Sequence, residues 1–512
     1  MGAAMADLSL LSVARFAVYG TLCVVLSDVS NATPTAFMVA RLVLAVLLYT
    51  TLILPAKAGA TLLLVISLAG QDIVSTAGAE EVEYRTAAIW QLSLGPVNPS
   101  MVFFGCLMYQ LARIRLHRPG RPVGPALVWF LSVPFVSGFL YGGVFSEFGA
   151  GAYLTDIRFP LLLIGSILLY GSLLTSDPRW TRKLVAALVG VLLARHFVDL
   201  IYLASNYGAE AIAGVSRSSE DSAKGAVNLL ILIGLLTLIA RGRNRLLAVA
   251  MTVLFGALSL GYATRLIWVG LFLGVIIIIV MLRPSRVVLL LTVAPFLIVA
   301  AAAVVTILNP GSALVAAVRA GTVTVGRPAT SFAVDVEYNV LSRIDPIRYG
   351  EAVNVVDSLG RRGAYLWGTG YGGYYEDRAV DFAEPRMGTS FPTFMFQAGR
   401  FFNTHEFVTH VLLKHGALGL VLIASVWIAP AVALVRALRR RRELAERRPA
   451  RLTIIVGALA AYLPTSMLQN YWSGKGLFLS GIVLALCIHL ARERGAAIGG
   501  PRAERMVLAR VG

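Results

Sequence analysis

Apolar stretches of about 20 residues recur along most of this 512-residue chain, and they restrict its fold more than any other feature. Where no water reaches, a segment must satisfy its own backbone, which a helix does alone and a strand does only in a closed barrel. Barrel strands alternate apolar and polar residues over about ten positions. The run at 266–282 is continuous instead, and 57% of all residues are hydrophobic against 14% charged. The expectation is an all-α polytopic membrane protein with about 14 (12–14) transmembrane helices and one large extracytoplasmic loop. Spans are predicted near 8–28, 35–54, 59–76, 98–112, 125–145, 158–175, 184–205, 225–241, 246–262, 266–283, 287–308, 406–436, 452–469 and 477–491.

The formal charge of +18 would suit nucleic acid if it formed one basic surface, but it does not. Arginines gather in short connectors at 113–121, 179–183, 241–245, 283–286 and 436–451, and in the tail from Arg492. That is the bias of cytoplasmic loops, so both termini are expected in the cytoplasm, and 77–97, 206–224 and 309–405 outside. Four regions follow: an N-terminal transmembrane bundle of about 11 helices at 1–308, an extracytoplasmic loop or cap at 309–405, C-terminal transmembrane helices at 406–491, and a mobile cytoplasmic tail at 492–512. Cys23, Cys106 and Cys487 lie far apart, which argues against a disulfide framework or a cysteine metal site. The first apolar run contains Arg15 and lacks a small-residue cleavage pattern, so it reads as a retained helix.

Arg265 is the sole charge between Arg245 and Arg283. An arginine at membrane depth costs roughly 2.5 to 3.5 kcal/mol even on lenient scales, so it marks an anion site or a polar cavity unless it snorkels to the interface. The loop holds further chemistry-bearing groups. Arg343 and Arg348 precede a helix-like stretch at 349–359, a glycine-rich turn follows at 368–373, and His405-Glu406 stands just before the next span. Guanidinium forks match phosphate oxygens, and two or more can replace a divalent cation where negative charge develops. An imidazole can accept a hydroxyl proton near neutral pH.

His405, His410 and His415 are spaced by five residues, which turns them to different helix faces and argues against a metal site. Trp367, Tyr371, Tyr374 and Tyr375 suit either sugar stacking or the packing of a small cap. Arg195 and Asp199 sit one helical turn apart as a local ion pair, while Asp156, Arg158 and Lys475 are charges near outer ends or within spans.

The Thr264-Arg265 step, the loop arginines, the glycine turn, and His405 eleven residues before Gly416-Ala-Leu-Gly419 come in an order that resembles the O-antigen ligase and polymerase superfamily of bacterial envelope glycosyltransferases. The resemblance covers roughly residues 246–435. Glu406 departs from it where an asparagine usually follows the histidine, and Thr264 replaces a serine. It implies an inner-membrane enzyme, without metal or other cofactor, that moves a glycan from an undecaprenyl diphosphate-linked donor to a sugar hydroxyl with inversion on the extracytoplasmic face. Carried over, it makes His405 the general base. Arg265 and Arg348 clamp the diphosphate with Arg343 in reserve. By residue type, and apart from the resemblance, Glu406 is a candidate to orient His405, and Trp367 and Tyr371 are candidates to support the sugar by stacking. Donor lipid, glycan acceptor and bilayer are then the partners, with no nucleic acid. A transporter or flippase of lipid-linked oligosaccharides is the alternative, and a metal-dependent lipid-phosphate sugar transferase using Asp28 is a third.

Overall fold

The computed structural model describes residues 10–29, 34–69, 99–117, 125–145, 149–177, 179–214, 346–381, 407–443 and 474–498, with isolated positions between 395 and 404 and at 463. These residues are all-α. The helices are α1 (Leu10–Val29), α2 (Pro34–Ile53), α3 (Ala56–Ala69), α4 (Pro99–His117), α5 (Pro125–Phe145), α6 (Gly149–Ser176), α7 (Trp180–Gly214), α8 (Pro346–Arg361), α9 (Phe407–Glu443) and α10 (Gly474–Ile498). The predicted spans at 225–241, 246–262, 266–283 and 287–308 lie outside the described residues, as does nearly all of 452–469. So do the segments 77–97 and 309–345.

Where spans and helices can be compared, the span at 125–145 coincides with α5, while α6 and α7 overrun 158–175 and 184–205. Hydropathy bounds the apolar part of a helix, whereas its hydrogen bonding continues until something caps it. α7 therefore runs through 206–214, part of a segment expected to be a loop.

Helix α3 is the hub of the bundle. Every residue from Gly59 to Ala69 except Leu62 is buried, and α1, α2, α4 and α7 pack around it. α6 joins α4 to α10, and α9 lies against α5 and α10. Aromatic rings knit these groups together. Phe478 of α10 meets Phe103 of α4 and Tyr170 of α6 edge-on at 5.4 and 5.8 Å, and the Tyr170 hydroxyl donates to the Ala60 carbonyl of α3 at 2.9 Å. Elsewhere small residues let backbones approach, as where Gly20 of α1 faces Val191 and Ala194 of α7.

One end of the bundle collects cations against the ends of helices. Arg113 of α4 donates to Leu52 and Leu54 at the end of α2, at 3.0 and 2.7 Å, and Lys57 meets Asp177 of the α6–α7 turn at 2.5 Å. Helix C-termini expose unsatisfied carbonyls with partial negative charge, which a guanidinium relieves. Two connectors that the charge bias assigns to one side of a membrane, 113–121 and 179–183, thus begin at the same end. Asp156 lies 21 positions before Asp177 in the chain, roughly 30 Å away along α6.

Large apolar side chains face outward on several helices. Leu22 is 65% exposed, Leu42 67%, Trp129 69% and Val421 62%. Among the described residues, the segment Phe407–Pro430 of α9 is long and apolar enough to cross a membrane.

The α6–α10 contact generates a direct test. A Cβ at Gly481 of α10 would overlap the Ser166 hydroxyl of α6, so Gly481→Leu should lower stability by about 1 to 3 kcal/mol. Thermal melting in detergent reads this, and an unchanged midpoint would contradict the packing.

Candidate functional site

The site is organised by a break in α9. At Gly416 the backbone turns to φ 65° and ψ −170°, a region open essentially to glycine alone, so the helical ladder is interrupted inside an apolar segment. Interrupted ladders leave amides and carbonyls that must find other partners. Here the partner is the glycine-rich turn that follows α8. Thr369 and Gly370 donate their amides to the Leu413 and Lys414 carbonyls at 2.8 and 3.0 Å, while Ala417 and Leu418 donate to Tyr365 and Leu366 at 2.8 and 3.2 Å. The turn completes what the helix lacks.

This docking needs backbones in near contact. Gly368 and Gly370 both take φ +76°, and Gly138 and Gly142, one turn apart on α5, leave room for the chain at Tyr371. The Tyr371 amide donates to the Gly138 carbonyl at 2.9 Å, and a Cβ at Gly142 would stand 2.6 Å from the Tyr371 nitrogen.

Beneath the turn lies a buried ion pair. Lys414 of α9 is 0% exposed and Asp156 of α6 is 3% exposed. The Lys414 Nζ donates to Asp156 Oδ2 at 2.5 Å and to the Gly373 carbonyl at 2.8 Å, and the Gly372 amide donates to the same carboxylate oxygen at 2.8 Å. Opposite charges and charge-assisted hydrogen bonds make this tolerable where an isolated ion would be costly. Three chain segments therefore meet at one carboxylate.

Neighbouring rings close the site. His415 Nδ1 lies 2.9 Å from the Pro134 carbonyl, which can only accept, so that nitrogen carries the proton. Its ring meets Tyr371 and Phe135 edge-on at 5.3 and 5.7 Å. The Tyr371 hydroxyl is buried without a hydrogen-bond partner among the described residues. Burial, and then the Asp156 and Tyr153 charges, push its phenol well above the ordinary tyrosine value, so it stays neutral.

Helix α8 packs on α9 through Val355, Leu359, Tyr375, Met395, Phe401 and Leu413. Tyr375 and Phe401 exchange backbone hydrogen bonds at 3.0 and 2.9 Å and stack their rings at 5.4 Å. The Tyr375 hydroxyl lies 3.5 Å from Glu351 Oε1. Asn354 holds the segment beyond Arg378 by accepting from the Ala379 and Val380 amides and donating to the Val380 carbonyl at 2.7 Å. On the outer side Arg361 bridges Asp357 at 2.9 Å and Glu376 at 2.8 Å, and Arg378 adds a second bond to Glu376 at 2.8 Å. The Tyr374 ring lies under two guanidinium groups, Arg362 at 4.0 Å and Arg400 at 4.9 Å.

Of the residues expected to carry chemistry, Arg265, Arg343, His405 and Glu406 lie outside the described residues. Arg348 falls in the first turn of α8, three residues before Glu351, and His405 immediately precedes the stretch that leads into α9 at Phe407. Trp367 is 37% exposed and remains accessible. Tyr371, by contrast, is enclosed by α5 and His415, while Tyr374 and Tyr375 are buried too, so these three rings serve packing rather than sugar stacking. His410 and His415 are both buried, and Arg195 donates to the Ala69 carbonyl at the end of α3 at 3.3 Å.

Asp156 and Lys414 were not singled out as a pair by sequence reasoning. The available signal was Lys414 inside an apolar run, since a charge at such a place demands a partner. Its partner is 258 residues away in the chain, and no spacing rule connects them.

Two outcomes follow from this geometry. Lys414→Met alone strands a buried carboxylate and should cost about 3 to 5 kcal/mol, while Asp156→Asn/Lys414→Met together should recover most of that loss in thermal melting. The Glu376 carboxyl is held below the ordinary carboxylate range by its bond from Arg361, opposed by burial and aided by Arg378. Its folded pKa being lowered, its contribution to docking the turn is complete above the ordinary carboxylate pKa and is lost as pH falls through the folded value. Limited proteolysis across 362–381 should accelerate over that acidic window in wild type and be less pH-dependent in Glu376→Gln.

No family model matches the chain, and no curated protein matches it in sequence.

Proposed function

We propose that this protein is a multi-pass glycosyltransferase of the inner membrane, of the O-antigen ligase or polymerase type. On this reading it transfers a glycan from an undecaprenyl diphosphate-linked donor to a sugar hydroxyl on the extracytoplasmic face. Arg265 and Arg348 hold the diphosphate with Arg343 in reserve, His405 takes the proton of the acceptor hydroxyl, and inversion proceeds without a metal. The full complement of about 14 spans and the extracytoplasmic cap at 309–405 belong to the same proposal.

The observation that carries the reading is the link between two segments far apart in sequence. Arg348 lies three residues before Glu351, Glu351 approaches Tyr375, and Tyr375 pairs with Phe401, four residues before His405. A donor-clamping arginine and a base on these segments would share one packed unit. That unit sits on the half of the bundle remote from the Lys57–Asp177 contact, as an active site opposite the cytoplasmic connectors requires. Outward-facing Leu22, Leu42, Trp129 and Val421 supply a lipid-facing surface too apolar for water.

A second reading, a carrier of lipid-linked oligosaccharides, draws on the interrupted α9, since carriers often build their sites from discontinuous helices. One assay separates the two. Purified protein in liposomes, given a lipid diphosphate-linked glycan and an acceptor, should form new glycosidic bonds with or without chelator. His405→Ala should lower the rate by roughly 10² to 10⁴-fold, the usual contribution of a general base, while folding normally. Movement of lipid across the bilayer without a new bond would overturn the enzyme reading, and loss of transfer with chelator would favour the acidic, metal-using alternative at Asp28.

A further inference from the structure

The Asp156–Lys414 pair has no part in the chemistry proposed for the arginines and His405, yet α6, α9 and the glycine turn converge on it. A buried ion pair is poor value as a stabiliser, because apolar residues of similar size often stabilise a core as well or better. What it supplies that apolar packing does not is direction. The carboxylate accepts one bond from Lys414 and one from the Gly372 amide, and the ammonium reaches back to Gly373, so the turn is held by both charges at adjacent residues.

We infer that Asp156 and Lys414 are positioning residues for glycan transfer, holding the glycine turn and the start of α9 in the register from which the chain to His405 and the helix that carries Arg348 depart. The inference rests on the transferase reading and names the device that aligns its parts. Lys414 lies nine residues after His405 on the chain entering α9. Its carbonyl is bonded by Gly370, and the preceding Leu413 accepts from both the amide and the hydroxyl of Thr369, the hydroxyl at 2.9 Å. Leu413 also packs against Leu359 of α8, the helix that begins two residues before Arg348. A slip at Lys414 is therefore felt along both segments. Val411, Leu412 and Leu413 are all apolar, so hydrophobicity by itself distinguishes neighbouring registers weakly. A single charged residue in that run removes the ambiguity, as one buried polar residue does in a coiled coil.

The test measures steady-state transfer and thermal melting on the full chain in liposomes with a lipid diphosphate-linked glycan. Asp156→Asn/Lys414→Met, which removes both charges together, should melt near wild type yet lose at least tenfold in kcat with little change in KM for the donor. Lys414→Arg, which keeps the charge, should restore part of the rate. If the double variant does not fold, Lys414→Arg alone keeps both charges while moving the donor that reaches Gly373, and the same split between kcat and KM is read from it. A folded variant with wild-type kcat overturns the inference, as does a loss of rate that tracks only the folded fraction. Absence of transfer in the wild-type protein would instead overturn the transferase reading on which the inference depends.

Discussion

Where its backbone is buried away from water, a helix may be interrupted only where other groups take over its hydrogen bonds, and that requirement organises the structure around Gly416. The break in α9 leaves carbonyls at Leu413 and Lys414 and amides at Ala417 and Leu418, and the glycine turn satisfies all four. The turn can do so only if it enters the bundle, so the glycines of α5 must admit it and something must hold it in place. Asp156 and Lys414 provide that hold, each bonded to both its partner charge and the turn's backbone. Remove the turn, and the ion pair would lose half its partners and the helix break its justification.

Around this centre the bundle divides its labour. The opposite end sets Arg113 on the carbonyls that end α2 and Lys57 on the Asp177 carboxylate of the α6–α7 turn, at positions where water can share the charge. At the turn, Asp156 and Lys414 are buried and neutralise each other. The contrast is one of cost: an exposed pair contributes little and needs little, whereas a buried one must satisfy every lone pair and proton or be destabilising. Between the two, α3 and the Phe103, Tyr170 and Phe478 cluster form an apolar middle with the hydroxyl of Tyr170 bonded to Ala60.

A site built in this way is suited to holding groups at fixed separations. Helix α8 is fastened to the turn by Asn354, Ser358 and Arg361, and to α9 by the apolar seam at Leu359 and Leu413. Arg348 rides at the beginning of α8, and the chain that carries His405 arrives through Phe401, which is already paired with Tyr375. Trp367 is the ring of the turn that stays accessible, while Tyr371 has been given over to packing.

Composition and periodicity determined that the chain would be helical, because runs too apolar and too long for alternating strands have one local solution for their backbone, and α5 falls where its run lies. The helix-like stretch before the glycine turn was equally legible, since its pattern and the glycines after it are local signals, and α8 ends there. Tertiary structure alone decided the role of the aromatic residues and of the buried charges. Whether a tyrosine in a loop meets solvent or a helix depends on glycines more than 200 residues earlier in the chain, as Tyr371 does on Gly138 and Gly142. Lys414 and Asp156 likewise become a pair only after α6 and α9 have packed, for a charge in an apolar run announces that it needs a partner but carries no record of where that partner lies.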